Sequence, residues 1–514
     1  MIRKKPEMTF SHSKADSTGF QAGDLALVFA FAAVRCLWLY LVYTFGPDQA
    51  AQMNVAMNIM DGRGIVYGAI PDNGLGYVPF NWFPPGYSFF IIALFKLTGD
   101  MFVSDYLLKC LFSFLEGALV VSIARSFVAS KSGRAIVVLL FAFYIGHMDR
   151  GMANDMIVAV AAMWLMYTLY RRVDTGVRFD ARTLIVMALA LLGMILAKYN
   201  SLPIVLAPLG LFLWLGVFHG KWILDRFEWA SICVATLISV AGFVWCIKFI
   251  GTGHQVISDS SNSIGTGSYG GILFERLGHF FRIDPFWLHF GRRVDMYFKS
   301  LFDFLAGSSS SLKGAFHFWQ ISTLVIFASV LILISRRVAI KKDLVTVLGF
   351  FAAVQVSFLF LLAVVRGPEH PVRYGIDGSI WTYMEEARYY NHLTFAITLA
   401  VLIACWRNLR PLYWLLSAVF LYNTIRTMAD GKSELAYLSR TFENLRNATV
   451  SEADEEAKRN RRAFYLWNYM LGNKDISWLT HSGKTETQAV PNTPRKPAEP
   501  GSVVPGNASD SVRH

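Results

Sequence analysis

The sequence predicts an all-α polytopic membrane protein with about eleven transmembrane helices and further helices at one membrane surface. Three observations carry this. Hydrophobic residues fill 54% of the 514 positions, more than a soluble core of this length can hide. Charged residues fill only 16%, against about 25% in a soluble domain. The apolar residues gather into runs separated by polar loops, as helices crossing roughly 30 Å of hydrocarbon require. The 41 Phe and 14 Trp suit anchoring at the membrane interface.

Residues 1–23 read as a cytoplasmic tail. They are polar, carry Arg3, Lys4, Lys5 and Lys14, and lead into a run (25–45) too long for a signal-peptide core, with no cleavage site after it. The further runs expected to span are 106–127, 135–145, 156–170, 183–197, 203–217, 229–250, 318–334, 344–365, 390–406 and 412–425. The apolar stretch 85–97 is shorter than the roughly 17 residues a crossing needs. Counted as re-entrant or interfacial, it leaves every basic loop on one side: Lys131/Arg134, Arg171/Arg172/Arg178/Arg182, Lys221/Arg226, Arg336/Arg337/Lys341/Lys342 and Arg407/Arg410. That satisfies the positive-inside rule, with the N-terminus inside and the C-terminus outside.

The membrane domain is therefore 24–425, with outer loops 46–84, 146–155, 251–317 and 366–388. Residues 426–482, charged and with helical spacing, form a small external cap, and the Pro/Ser/Thr-rich 483–514 form a disordered tail. The formal charge of +12 does not indicate nucleic acid, because the basic residues sit in short loops where they set topology. Cys36, Cys110, Cys233, Cys246 and Cys405 lie far apart in apolar runs and form no metal-binding pattern. No nucleotide-binding loop, Ser/His/Asp arrangement or inverted repeat of a transporter is present.

Candidate chemistry gathers on the outer face. Asp48 follows the first span and precedes a helical stretch, 50–60; a shielded carboxylate there can act as a general base, while an Asp at a helix start is also what a cap requires. Asp155 heads the span 156–170 with the same two readings, and Asp149 competes with it as the functional acid of that loop. Lys198 and Arg388, at outer span ends, suit a phosphate at headgroup level, or equally snorkelling toward lipid. Arg35, inside the first span, needs a buried partner.

The order of these elements is familiar. An Asp follows the first span. Phe83-Pro84-Pro85-Gly86-Tyr87-Ser88 leads into Leu94-Phe95-Lys96-Leu97-Thr98-Gly99, and Asn154-Asp155 opens a span. Leu196-Ala197-Lys198-Tyr199 precedes Pro203, and Ala387-Arg388-Tyr389-Tyr390 opens a late span. The arrangement resembles the GT-C glycosyltransferases that use a polyprenyl-phosphate sugar, such as protein O-mannosyltransferases and aminoarabinose transferases. It departs from them in having Gln49 after Asp48 and Asn81-Trp82-Phe83 before the proline pair.

The resemblance implies a GT-C-like bundle in a bacterial inner membrane, its site facing the periplasm or exterior. Asp48 and Asp155 would be its catalytic acids, with Lys198, Arg388, Tyr389 and Asp149 binding substrate. The donor would be a polyprenyl-phosphate sugar and the acceptor a glycan, lipid or protein, with no cofactor and no metal. An outward-facing polymerase or ligase using lipid pyrophosphate, kept open by Arg366, Arg373 and Arg388, and a lipid or sugar transporter are the alternatives.

Overall fold

A computed structural model describes residues 21–43, 45–68, 78–80, 83–144, 153–246, 328–334, 336, 341–366, 391–430 and 433–471. Along these stretches run α1 (Ala22–Leu41), α2 (Pro47–Met60), α3 (Gly86–Thr98), α4 (Met101–Phe127), α5 (Lys131–Ala142), α6 (Ala153–Thr175), α7 (Ala181–Ala197), α8 (Leu202–His219) and α9 (Arg226–Trp245). They continue with α10 (Lys342–Arg366), α11 (Asn391–Asn408), α12 (Arg410–Asp430), α13 (Leu435–Asn447), α14 (Val450–Arg459) and α15 (Arg461–Tyr465), closed by a π turn at Leu466–Met470. One addition to the all-α expectation is a minimal antiparallel pair, Val66–Tyr67 (β1) with Val78–Pro79 (β2).

Helix starts follow local chemistry. Ser130, Asp180 and Asp225 accept hydrogen bonds from the amides of Gly133, Thr183 and Glu228, satisfying donors that a helix start leaves free. Gly99 ends α3 at φ +69°, a conformation that glycine adopts without strain, and Asp100 caps α4 through the amides of Phe102 and Val103. The chain therefore turns from α3 to α4 within two residues.

Among the described residues, α1, α4, α6 from Asn154, α8 and α9 are long and apolar enough to cross a membrane. α3, α7 and the 395–408 part of α11 are apolar but shorter. Leu189 on α7 and Leu237 on α9 are 63% and 66% exposed, marking faces that lipid would cover. The expected run 318–334 falls mostly outside the described residues, so the described helices do not themselves establish eleven crossings. Asp149, Arg388, Tyr389 and the loop 251–317 also lie outside them.

Polar contacts order the bundle by depth. α1 and α4 run antiparallel, joined at one end by Asp24 and Arg125 (3.3 Å) and mid-way by Arg35 and Glu116 (3.2 Å), with Tyr43 and Asp105 (2.7 Å) at the other end. Glu116 is thus a partner of Arg35, whose guanidinium also lies over the rings of Phe31 and Phe395. Further ion pairs, Arg172–Glu228 (2.8 Å) and Lys341–Asp174 (2.7 Å), join the Asp24 end. An apolar cleft between α4, α6, α10 and α11, edged by Lys341 and Arg407, opens at that same far end, away from the carboxylate site below.

The short helix α3 does not run the length of α4. Its first turn reaches α4 through Tyr87 and Asp105 (2.8 Å), and its last residue reaches α4 through Thr98 and Ser104 (2.7 Å). Between them Phe90 packs edge-on against Phe112, so α3 lies along the first part of α4. At about 1.5 Å per residue it is also too short to cross hydrocarbon. α2 is buried on all sides: Gln49, Gln52, Asn54 and Asn58 are enclosed along with Ala50, Met53, Val55 and Ala56. One apolar cluster joins α2, α3 and α4 to the C-terminal helices through Met53, Ile91, Phe102, Leu438, Phe442 and Trp467.

Candidate functional site

The residues at the Tyr43 end are assembled by the tripeptide Gly86-Tyr87-Ser88, each member of which binds a different helix. Ser88 donates its hydroxyl to the carbonyl of Gln52 on α2 (2.8 Å). Tyr87 donates to Asp105 on α4 (2.8 Å). Gly86 lies so close to Leu196 near the end of α7 that a Cβ there would overlap the Leu196 carbonyl. Only glycine permits that approach without displacement. Pro84 and Pro85 are buried beside it, and Pro85, which stands before α3, fixes the direction of entry.

On the α7 side of this junction stands a buried ion pair. Lys198, the extended residue that caps the C-terminal end of α7, donates to Asp155 in the first turn of α6, and both side chains are nearly inaccessible. The carbonyl of Lys198 accepts from both the amide (3.1 Å) and the hydroxyl (2.6 Å) of Ser201, which fixes the backbone beneath the ammonium. Asn154 donates to the carbonyl of Ala197 (3.3 Å), tying the same two helix ends. Snorkelling toward lipid does not describe this lysine, because its ammonium is held inside the protein. Asp155 stands at the third position of α6, inside the helix rather than at the cap before it.

On the α2 side stands Asp48. The helix starts earlier than the sequence suggested: Gly46 is the cap and Pro47 the first helical residue, so Asp48 lies within the first turn and is half-buried. The capping reading of Asp48 is therefore corrected. Proline at the first position removes an amide that would have no partner there, which favours starting the helix at 47. The adjacent Gln49 is buried and donates its amide to Asp105.

Asp105 was not anticipated from sequence. Its Oδ1 accepts from Tyr87, and its Oδ2 accepts from Tyr43 (2.7 Å), Gln49 and Lys109 (2.9 Å). Three donors meet Oδ2 and one meets Oδ1, so Asp105 is a hub that ties α1, α2 and α3 to α4. Tyr43 and Tyr87 each donate a hydroxyl to it. The detectable signal was the spacing of Asp105, Lys109, Ser113 and Glu116, a polar stripe on one face of an apolar helix, all buried. Among the described residues no three His, Cys, Asp or Glu side chains converge as a metal site requires.

The arrangement thus brings Asp48, Asp155 and Lys198 to one end of the bundle, Asp48 to one side of the α3 start and the ion pair to the other. Residues 83–245, from just before α3 to the end of α9, match the family model described as dolichyl-phosphate-mannose-protein mannosyltransferase, of the GT-C superfamily. This bears out the resemblance drawn from the Pro-Pro-Gly-Tyr motif, and it supports a membrane glycosyltransferase that uses a polyprenyl-phosphate sugar donor. The apolar helices agree with an integral membrane protein. No curated protein matches the chain.

Proposed function

We propose, on the family match over 83–245, that the protein transfers a sugar from a polyprenyl-phosphate donor to a lipid, glycan or protein acceptor on the non-cytoplasmic face. The observation that carries the reading is the buried Lys198–Asp155 pair, placed inside the matched segment beside the Gly86 junction. A cation held at a helix end is what a departing phosphate needs. Asp155 orients that cation. The sidedness rests on the basic residues at the opposite end, Lys131, Arg134, Arg171, Lys221 and Arg410, which the positive-inside rule assigns to the cytoplasm.

In the proposed step the acceptor hydroxyl gives its proton to Asp48. Its oxygen bonds to the anomeric carbon, and the bond from that carbon to the phosphate oxygen breaks. The electron pair leaves with the polyprenyl phosphate, whose charge Lys198 meets, and the anomeric centre inverts. Arg388, Tyr389 and Asp149 are proposed as further substrate contacts on the same face.

Purified protein is given a polyprenyl-phosphate sugar or, separately, a nucleotide sugar. Transfer from the first and none from the second is expected, and direct turnover of the nucleotide sugar overturns the reading. Asp48→Asn separates proton transfer from helix support. The amide forfeits about 0.3–1 kcal/mol of helix-dipole interaction but about 10²–10⁴-fold in rate if Asp48 is the base. A fully active Asp48→Asn removes Asp48 from the mechanism.

A further inference from the structure

We propose that the C-terminal cap belongs to the catalytic unit, and that Arg462 is a positioning residue that holds the Tyr43–Asp48 segment in place. The inference rests on the reading of Asp48 as the base. The cap lies outside the family-matched segment, and nothing in that match gives it a role.

In the link from α1 to α2 the side chains of Tyr43 and Phe45 are held by Asp105 and Phe102. Gly46, at its end, caps α2 without a side-chain hydrogen bond. Glycine also gives the backbone the greatest conformational freedom of any residue. The cap holds the backbone carbonyls of the link. The amide of Glu434 donates to the carbonyl of Tyr43 (3.3 Å), and the guanidinium of Arg462 donates to the carbonyl of Phe45. These carbonyls lie five and three residues ahead of Asp48. The two cap residues are locked to each other, since Arg462 Nε lies 2.9 Å and 2.8 Å from the two carboxylate oxygens of Glu434. Arg462 also lies 6.0 Å from the ring of Tyr465.

The rest of α2 is fastened to the same cap. Asn54 donates to the carbonyl of Met470 (2.7 Å), and Tyr67, just beyond α2, donates to the carbonyl of Asn468 (3.3 Å). From the membrane side Asp105 grips Tyr43 and Gln49. Asp48 therefore sits on a segment clamped from two directions, and the guanidinium of Arg462 reaches its backbone at Phe45. A lysine at 462 could meet Glu434 or the carbonyl, but it lacks the planar fork that serves both.

A purely structural cap and a positioning cap differ in one measurable way. Full-length Arg462→Ala is compared with wild type, Asp48→Asn and the Asp48→Asn/Arg462→Ala double variant, with a polyprenyl-phosphate sugar as donor. Arg462→Ala is expected to lower kcat by roughly 10²-fold, the scale of a displacement of about 1 Å in a reacting group, with donor KM unchanged. Arg462→Lys should recover part of the loss. Arg459→Ala, an exposed site on α14, should leave kcat unchanged. In the Asp48→Asn background, Arg462→Ala should cost nothing further, and amide exchange of the segment 45–52 should rise in both variants that lack Arg462 and not in Asp48→Asn. If Arg462→Ala fails to fold, Glu434→Gln takes its place in the same cycle. Equal fold-losses in both backgrounds, or wild-type kcat in Arg462→Ala, overturn the inference and leave Asp48 as the base. A fully active Asp48→Asn overturns the mechanistic reading, and the inference falls with it.

Discussion

Replacing Lys198 by Met removes the cation from a pair in which both side chains are almost wholly enclosed, 7% and 5% accessible. Stranding a buried carboxylate costs about 3–5 kcal/mol. Asp155 lies in the first turn of α6, where the helix N-terminus returns up to about 2 kcal/mol to a partly buried anion. The net expectation is therefore a loss of about 1–5 kcal/mol of stability, and low transfer in Lys198→Met would not by itself report on catalysis. The double variant Asp155→Asn/Lys198→Met resolves this, because replacing both partners of a buried pair is close to neutral for folding. It should recover most of the thermal midpoint, read as monodisperse protein surviving a heating series in detergent. It should still transfer about 10²–10³-fold more slowly, the worth of one lost electrostatic stabiliser of a departing charge. Lys198→Arg should keep stability and part of the rate. Two results would refute the reasoning. A double variant with wild-type transfer would leave Lys198 with no role toward the leaving group. A single Lys198→Met as stable as wild type would mean the pair is not buried as described.

Three further outcomes are expected. Gly86→Ala drives a methyl into the Leu196 carbonyl; forcing α3 from α7 should cost about 1–3 kcal/mol and lower transfer, and an unchanged thermal midpoint would contradict the close approach. Arg35→Met should lower the thermal midpoint steeply by stranding Glu116, whereas Arg35→Met/Glu116→Leu should restore it; equal midpoints for the two variants would deny the pair. In a cysteine-free background, cysteines at Asp72, Ser260 and Ser451 should react with an impermeant thiol reagent in intact cells and one at Ser132 should not; labelling at Ser132 alone would invert the topology.

The match between sequence reading and structure has a physical pattern. Hydropathy is a sum over neighbours along the chain, so the apolar runs marked the helices without knowledge of any contact. The run at 85–97 reads as shorter than the others, and α3 is among the shorter apolar helices. Helix starts were less legible. Asp48 looked like a cap, but Gly46-Pro47 starts the helix before it, because a proline at the first position outweighs a side-chain acceptor one residue later.

What the sequence determined by itself was the membrane class, the spacing of the helices and the glycosyltransferase resemblance, since each is written in local composition or in a contiguous motif. What only the tertiary structure decided was pairing. Lys198 with Asp155 spans 43 residues, Arg35 with Glu116 spans 81, and the cap reaches Phe45 from 417 residues away. Buried charges must find partners wherever the fold brings them, and no local pattern specifies which. The same reason hid the role of Asp105: the polar stripe it shares with Lys109, Ser113 and Glu116 marks a buried face, but not that Tyr43, Gln49, Tyr87 and Lys109 close around it.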